Sequence, residues 1–350
     1  VKRQQVAIFF GGCSSEYGVS LQSAHAVITH IDTTRYAPVL VGITQSGDWF
    51  HFIGDPSRIL QDTWCNAQDA TPAWLSASRS ERCLLEEKDG RIKRTPIDVA
   101  LPVIHGKNGE DGTLQGLLEL ADIPIAGCGT LASALCMDKV RAHALVATAG
   151  IPVARYVTAQ QPVDREALIA QAQALSYPLF VKPVRAGSSF GITRVAGFAQ
   201  LAAAIDTALA YDSQIMIEES VEGFEVGCAV MGNDALTIGA VDEIELADGF
   251  FDFTEKYTLK TSRIHMPARI APKKTAEIQR TAARIYRILG CSGFARVDMF
   301  LTPQGKIVFN EVNTIPGFTS HSRFPRMMQG VGLSFEAVIE RILRQALEEA

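Results

Sequence analysis

The chain has 350 residues, 47% hydrophobic and 20% charged, enough for two or three packing units around a substantial core. A formal charge of −5, with Lys and Arg scattered along the chain, argues against nucleic acid as a partner but allows a small anionic ligand in a local basic pocket. Seven cysteines without a CxxC pair indicate neither a disulfide framework nor a zinc site, and no apolar run approaches the ~20 residues of a membrane span, so a cytoplasmic protein with reduced thiols is expected.

Residues 6–10 form an apolar run stopped by Gly11-Gly12, and an amphipathic helical pattern follows over 19–31. Residues 38–43 and 99–104 are further buried-strand candidates, and this βαβ rhythm predicts a parallel sheet covered by helices. The stretch 55–93 is polar, weakly periodic and unassigned. Residues 131–149 read as one helix closed by Gly150 and Pro152; a short strand over 178–181 ends at Lys182, a Gly/Ser loop spans 185–191, and 198–209 is helical. Strands are predicted over 214–218, 226–231 and 237–244, then an apolar-poor stretch over 247–265 and a helix over 275–289 capped by Gly290. A strand pair, 294–300 and 306–309, surrounds the turn Thr302-Pro303-Gln304-Gly305, and 334–350 is a closing amphipathic helix.

Three groups carry candidate chemistry. Arg296 and Asp298 share one side of a strand, as do Glu311 and Asn313; if the two strands are neighbours, four polar groups converge. Asp298, Glu311 and Asn313 suit Mg²⁺, which favours carboxylates plus substrate phosphates, although a salt-bridged sheet face would look the same. Lys182 with Gly187-Ser188-Ser189-Phe190-Gly191 could cradle phosphates, yet it is neither a Walker A sequence nor a Rossmann fingerprint. Gly11-Gly12-Cys13-Ser14-Ser15-Glu16 lies where a strand gives way to a helix. There Glu16 is either a first-turn acid or, at the carboxyl end of a parallel strand, a receptor for a substrate ammonium.

The blocks FGGCSSEYGVSLQSA, HGKNGEDGTLQG, ALCMDKVRAH, LFVKPVRAGSSFGIT, FDFTEKY, FARVDMF and NEVNTIPGFTSHSRFP occur in this order. With them the chain resembles the D-alanine–D-alanine ligase family of the ATP-grasp superfamily, nearly end to end. Within it the wording is most similar to the VanG-type D-alanine–D-serine ligases of glycopeptide resistance. The resemblance implies an α/β and α+β architecture: an ATP-grasp fold with an N-terminal parallel-sheet domain over 1–127, a small subdomain over 128–217, and a C-terminal subdomain over 218–350 with a mobile loop at 247–263.

It also implies roles. Lys139 and Lys182 would hold ATP phosphates, Glu218 the adenine and Glu225 the ribose, with the backbone at Glu219 and Val221 bordering the base. Asp298, Glu311 and Asn313 would bind Mg²⁺ or Mn²⁺, while Arg296 and the Gly317 backbone would stabilise a tetrahedral intermediate. Glu16 would receive the first amino acid's ammonium, with His105 near its carboxylate. Ser188 and Tyr257 would join Glu16 in a triad, Lys256 would reach the γ-phosphate, and Ser322 would meet the second substrate's carboxylate. Arg323 replaces an apolar residue of housekeeping relatives, and Gly18 stands where many carry an acid. The retained Lys256-Tyr257 pair disfavours D-lactate. The implied product is D-alanyl-D-serine or D-alanyl-D-alanine for peptidoglycan precursors, made by a homodimer. Its rivals are a housekeeping D-alanine–D-alanine ligase and a non-catalytic nucleotide-binding regulator. The regulator should lack Arg296 or a magnesium ligand, and none is missing.

Overall fold

The computed structural model describes residues 2–187, 190–246 and 262–348. In the first sheet, β1 (Gln4–Gly11) pairs in parallel with β2 (Tyr36–Ile43) and with β7 (Val99–Pro102), and α1 (Tyr17–His30) crosses from β1 to β2. Residues Val6 to Phe10 are fully buried on both faces, as a central parallel strand requires. The sheet is parallel only there. The strands β3 (Trp49–Phe52), β4 (Ala70–Leu75), β5 (Cys83–Lys88) and β6 (Arg91–Pro96) extend it antiparallel, in the order β6-β5-β4-β3-β2-β1-β7. Of these outer strands β6 is exposed almost throughout, so it lacks the apolar run that marks a strand in sequence.

A one-turn α2 (Ser57–Leu60) and α3 (Thr113–Leu120) complete this unit. The single helix expected over 131–149 is two, α4 (Thr130–Met137) and α5 (Lys139–Thr148). Asp138 breaks it by taking extended dihedrals and accepting the Arg141 N–H, an N-cap that satisfies a donor the second helix would leave unpaired.

The second sheet, β10 (Thr193–Val195), β9 (Leu179–Pro183), β11 (Gln214–Glu219) and β8 (Tyr156–Gln160), is antiparallel, with α6 (Arg165–Ala172) and α7 (Leu201–Leu209) packed on it. The third runs β14 (Ser262–His265), β13 (Thr237–Leu246), β12 (Phe224–Met231), β15 (Phe294–Leu301), β16 (Ile307–Asn313), also antiparallel. One of its faces shares a core with α8 (Pro272–Ile288), α4 and α5, so by packing these last two helices go with the third sheet although they precede the second in the chain. Beyond it, α9 (Arg323–Gln329) and α10 (Phe335–Glu348) enter a core continuous with α1 and β1, through Phe318, Phe324 and Met327. Among the described residues, no helix is long and apolar enough to cross a membrane.

Candidate active site

Two clefts meet between the sheets. The first, of about 500 Å³, lies between the second and third sheets. Phe180, Ile192, Phe224, Ile244 and Phe300 give it apolar walls, while Lys139, Lys182 and Glu311 stand among its polar residues. The second, of about 350 Å³, lies where all three sheets converge and holds Glu16, His105, Arg296, Asn313, Gly317, Ser322 and Arg323. Lys139 and Glu311 line both. A group carried on phosphates in one cleft can therefore reach a carboxylate in the other.

The third sheet positions the polar cluster. Arg296 lies opposite Asn313 and Asp298 opposite Glu311, as the convergence reading requires. A bulge makes it work. The register slips between Asp298 and Met299, leaving Asn310 as an extra residue, so Ile307, Phe309 and Val312 all reach the core while Glu311 and Asn313 turn to the cleft. Glu311 is partly accessible, its Oε2 lying 3.9 Å from Lys139 Nζ, and Asn313 Oδ1 is buried without a hydrogen-bond partner among the described residues. That donor set fits a divalent cation carried with phosphates; among the described residues no group of three or more His, Cys, Asp or Glu forms an all-protein cage.

Asp298 departs from the expected picture. It is 1% exposed and lines neither cleft. Both its oxygens accept from Arg296 (Nε 2.8 and 3.0 Å, Nη2 2.7 Å), and Arg323 Nη2 lies 3.4 Å away. As the chain stands Asp298 anchors two guanidinium groups.

Arg323 is the second anchor. Its Nε and Nη2 donate to Asp242 at 2.7 and 2.8 Å and its Nη1 to Glu225 at 2.9 Å, which ties the expected ribose ligand to the second cleft as well. Burial pulls the guanidinium's value down, but the Asp242 and Asp298 carboxylates outweigh it and hold it well above the ordinary range. Gly227 makes room: its N–H donates to Asp242 at 2.9 Å, and any Cβ there would collide with the Arg323 guanidinium.

In the first cleft Lys182 pairs with Glu218, both nearly buried, and Glu218 Oε2 has no partner among the described residues. A buried carboxylate oxygen lacking a donor suits an exocyclic amine of a base. Val221 and Glu219 line the same wall. One oxygen of the Glu219 carboxylate, Oε1, accepts from Arg155 at 3.0 Å and from the Ser176 N–H at 2.8 Å. Lys139 Nζ donates to Ala186 O at 2.9 Å, beside the Gly/Ser loop.

At the second cleft Glu16 sits just beyond the carboxyl end of β1, 7% exposed. Ser14 tethers it, accepting the Glu16 N–H at 3.1 Å and donating to His105 O at 2.6 Å. Gly106 and Gly187 press on its carboxylate so closely that a Cβ at either would come within 2.6 Å of Oε2. The Gly/Ser loop thus reaches Glu16. The triad partners Ser188 and Tyr257, with Lys256 and the rest of 247–261, lie outside the described residues.

His105 lines the second cleft, and both its ring nitrogens are engaged by protein: Nδ1–H donates to Ile315 O at 2.7 Å and Nε2 faces Ser23 Oγ at 3.1 Å. Burial lowers its value, against the raising effect of the Glu16 carboxylate. Ser322 stands at the N-cap position of α9 without a side-chain capping bond and sits over Gly317, its Oγ accepting the Thr319 N–H at 3.1 Å.

Sequence reasoning missed Asp242, Ser23 and Glu110. An acid in the middle of the apolar strand around Val241 was the available signal for the first. Glu110 accepts from the Gly106 N–H at 2.7 Å and the Ile315 N–H at 3.2 Å; burial, then the Glu16 carboxylate, push it up to about 8.

Two family models match, "D-ala D-ala ligase N-terminus" over residues 5–128 and "D-ala D-ala ligase C-terminus" over 145–344. The structure is similar to a VanG D-Ala:D-Ser ligase from Enterococcus faecalis, with a TM-score of 0.92 and 54% identity over 99% of this chain and 100% of that one. Vancomycin C-type resistance protein VanC1 of Enterococcus gallinarum is 44% identical, covering 99% of both chains. A putative D-alanine–D-lactate ligase of Streptomyces coelicolor is 45% identical over 99% of this chain and 98% of its own.

Proposed function

The chain belongs to the D-alanine–D-alanine ligase family and is an ATP-dependent ligase acting on amino acids; from that premise we propose that it joins D-alanine to D-serine through a D-alanyl phosphate. The observation that carries this reading is Arg323, buried on Asp242 yet lining the second cleft beside Ser322. An added hydroxyl needs a polar partner, and a guanidinium held rigid by a buried carboxylate supplies one. The likeness to a solved D-Ala:D-Ser ligase supports it.

The chemistry follows from the two clefts. A carboxylate is a poor electrophile, and the nucleotide supplies the phosphoryl group that makes it a good one. Lys139 and Lys182 neutralise phosphate charge, and Glu311 and Asn313, with Asp298, would hold a magnesium ion against the same oxygens. Glu16 orients the first substrate by its ammonium. The second substrate's neutral amine attacks the acyl carbon, and Arg296 with the Gly317 amide stabilises the oxyanion, a donor of this kind contributing about 3 kcal/mol. Phosphate then leaves as the peptide bond forms. A homodimer and a cytoplasmic site of action belong to the same proposal.

The deciding experiment incubates the protein with ATP, magnesium and equimolar D-alanine and D-serine, reading products by mass. D-Alanyl-D-serine should dominate; mainly D-alanyl-D-alanine across pH 7 to 9 would refute the serine reading and leave a housekeeping ligase.

A further inference from the structure

The peptide segment around Gly317 belongs to the third-sheet unit, yet it is gripped by three side chains of the first. The Ile315 N–H donates to Glu110 at 3.2 Å, and the Ile315 carbonyl accepts from His105 at 2.7 Å. Three residues on, the Phe318 N–H donates to Ser23 Oγ at 3.2 Å, and the same hydroxyl faces His105 Nε2 at 3.1 Å. Glu110 closes the circuit through the Gly106 N–H at 2.7 Å. Ser23, His105 and Glu110 are 0%, 3% and 7% exposed, so water does not compete for these bonds.

Between the gripped residues stand Pro316, which fixes φ, and Gly317, whose N–H has no acceptor among the described residues and whose position lines the second cleft. From below, Phe318 stacks on Phe324 at 6.0 Å and tilts against Phe294 at 5.3 Å. The loop is thereby held on two sides of Gly317, which borders the cleft. The gripping segment also carries Gly106, which presses on Glu16.

We propose that Glu110 and Ser23 are positioning residues: with His105 they fix the Gly317 amide relative to Glu16, so that the oxyanion donor and the ammonium receptor move as one frame. Neither touches the reacting atoms. The inference rests on the ligase reading and adds to it the cause of the alignment.

The test follows from where misalignment acts. Phosphoryl transfer to the first substrate does not use the Gly317 amide, whereas amine attack does. A displaced amide should therefore leave acylphosphate to be lost to water, and phosphate released per dipeptide should rise. Glu110→Gln turns an amide NH₂ on one of two N–H donors. It should lower kcat for dipeptide on the order of 10²-fold, the usual cost of an ångström-scale misplacement, with KM for ATP little changed and the phosphate-to-dipeptide ratio raised several-fold. Ser23→Ala, a smaller change that serves if Glu110→Gln folds poorly, should move the ratio the same way. Folding is checked by ATP affinity and melting temperature. A ratio equal to wild type in the folded variants, whether or not overall rate falls, overturns the proposal while the ligase reading stands; absence of any dipeptide from the wild-type protein takes both down.

Discussion

Asp242→Asn is the most informative single change. The aspartate is fully buried, its Oδ1 accepting from the Gly227 N–H and Arg323 Nη2, its Oδ2 from Arg323 Nε. Asparagine keeps one oxygen, which the two donors at Oδ1 will claim, and turns an NH₂ on Arg323 Nε. One charge-assisted hydrogen bond is lost, worth about 1.5–3 kcal/mol. The full cost of breaking a buried pair is not reached, because Glu225 and Asp298 still neutralise the guanidinium. At the entropy of unfolding typical of a chain this long, that loss lowers Tm by roughly 2–4 °C. Specificity should change more than stability. If the fixed guanidinium receives the hydroxyl of D-serine, loosening it removes the same bond in the transition state, and kcat/KM for D-serine relative to D-alanine should fall about 10- to 150-fold. The assay is a competition between the two amino acids followed by mass, with a thermal melt alongside. A lowered Tm with an unchanged serine-to-alanine ratio would show that Arg323 braces the sheet without reading the substrate.

Glu311→Gln should abolish ligation, by at least about 10²-fold, with Tm almost unmoved, whereas Asp298→Asn should also destabilise by about 3 kcal/mol because it leaves Arg296 and Arg323 short of a carboxylate; equal melting temperatures would contradict the anchoring role. Gly187→Ala places a Cβ 2.6 Å from Glu16 Oε2, an overpacking cost of about 1–3 kcal/mol, and should raise KM for the first D-alanine about 10-fold or more, with little effect on KM for ATP. His105 and His143 are both buried with values below the ordinary 6.5, so the unfolded chain takes up the extra proton first. Their stabilisation is complete above pH 6.5 and is lost as pH falls. Acidification from pH 6.5 to 5 should therefore lower the Tm of wild type more than that of His143→Gln, and parallel curves would refute this.

What the sequence showed and hid follows from the range of the interactions. The strand ending at Lys182 was legible because an apolar run stopping at a charge is a local pattern, and the pairs Arg296/Asp298 and Glu311/Asn313 because their two-residue spacing puts each on one side of a strand. The capping of α5 by Asp138 was not legible, since a helix break at an acid looks like any polar helix position until the dihedrals are known. Arg323 was singled out, yet Asp242, 81 residues earlier, could not be assigned to it, because pairing across sheet and helix leaves no periodic trace. Glu110 and Ile315, separated by 205 residues, were hidden for the same reason. That His105 braces Ile315 shows only in the tertiary partners of its two nitrogens.

The extra residue at Asn310 has a consequence for how this chain can change over time. Along β16 the alternation of sides resets at that point, which lets one strand fill a core with Phe309 and present Glu311 and Asn313 to a cleft. Substitutions leave that reset in place, but a single-codon insertion or deletion there would reverse it, sending a carboxylate and an amide into the space that Val312 fills and an isopropyl group into the cleft. In mutational libraries this stretch should tolerate many exchanges of similar size and almost no change of length. Intolerance to length, with tolerance to chemistry, is the signature by which such a strand could be found in a chain whose structure is unknown.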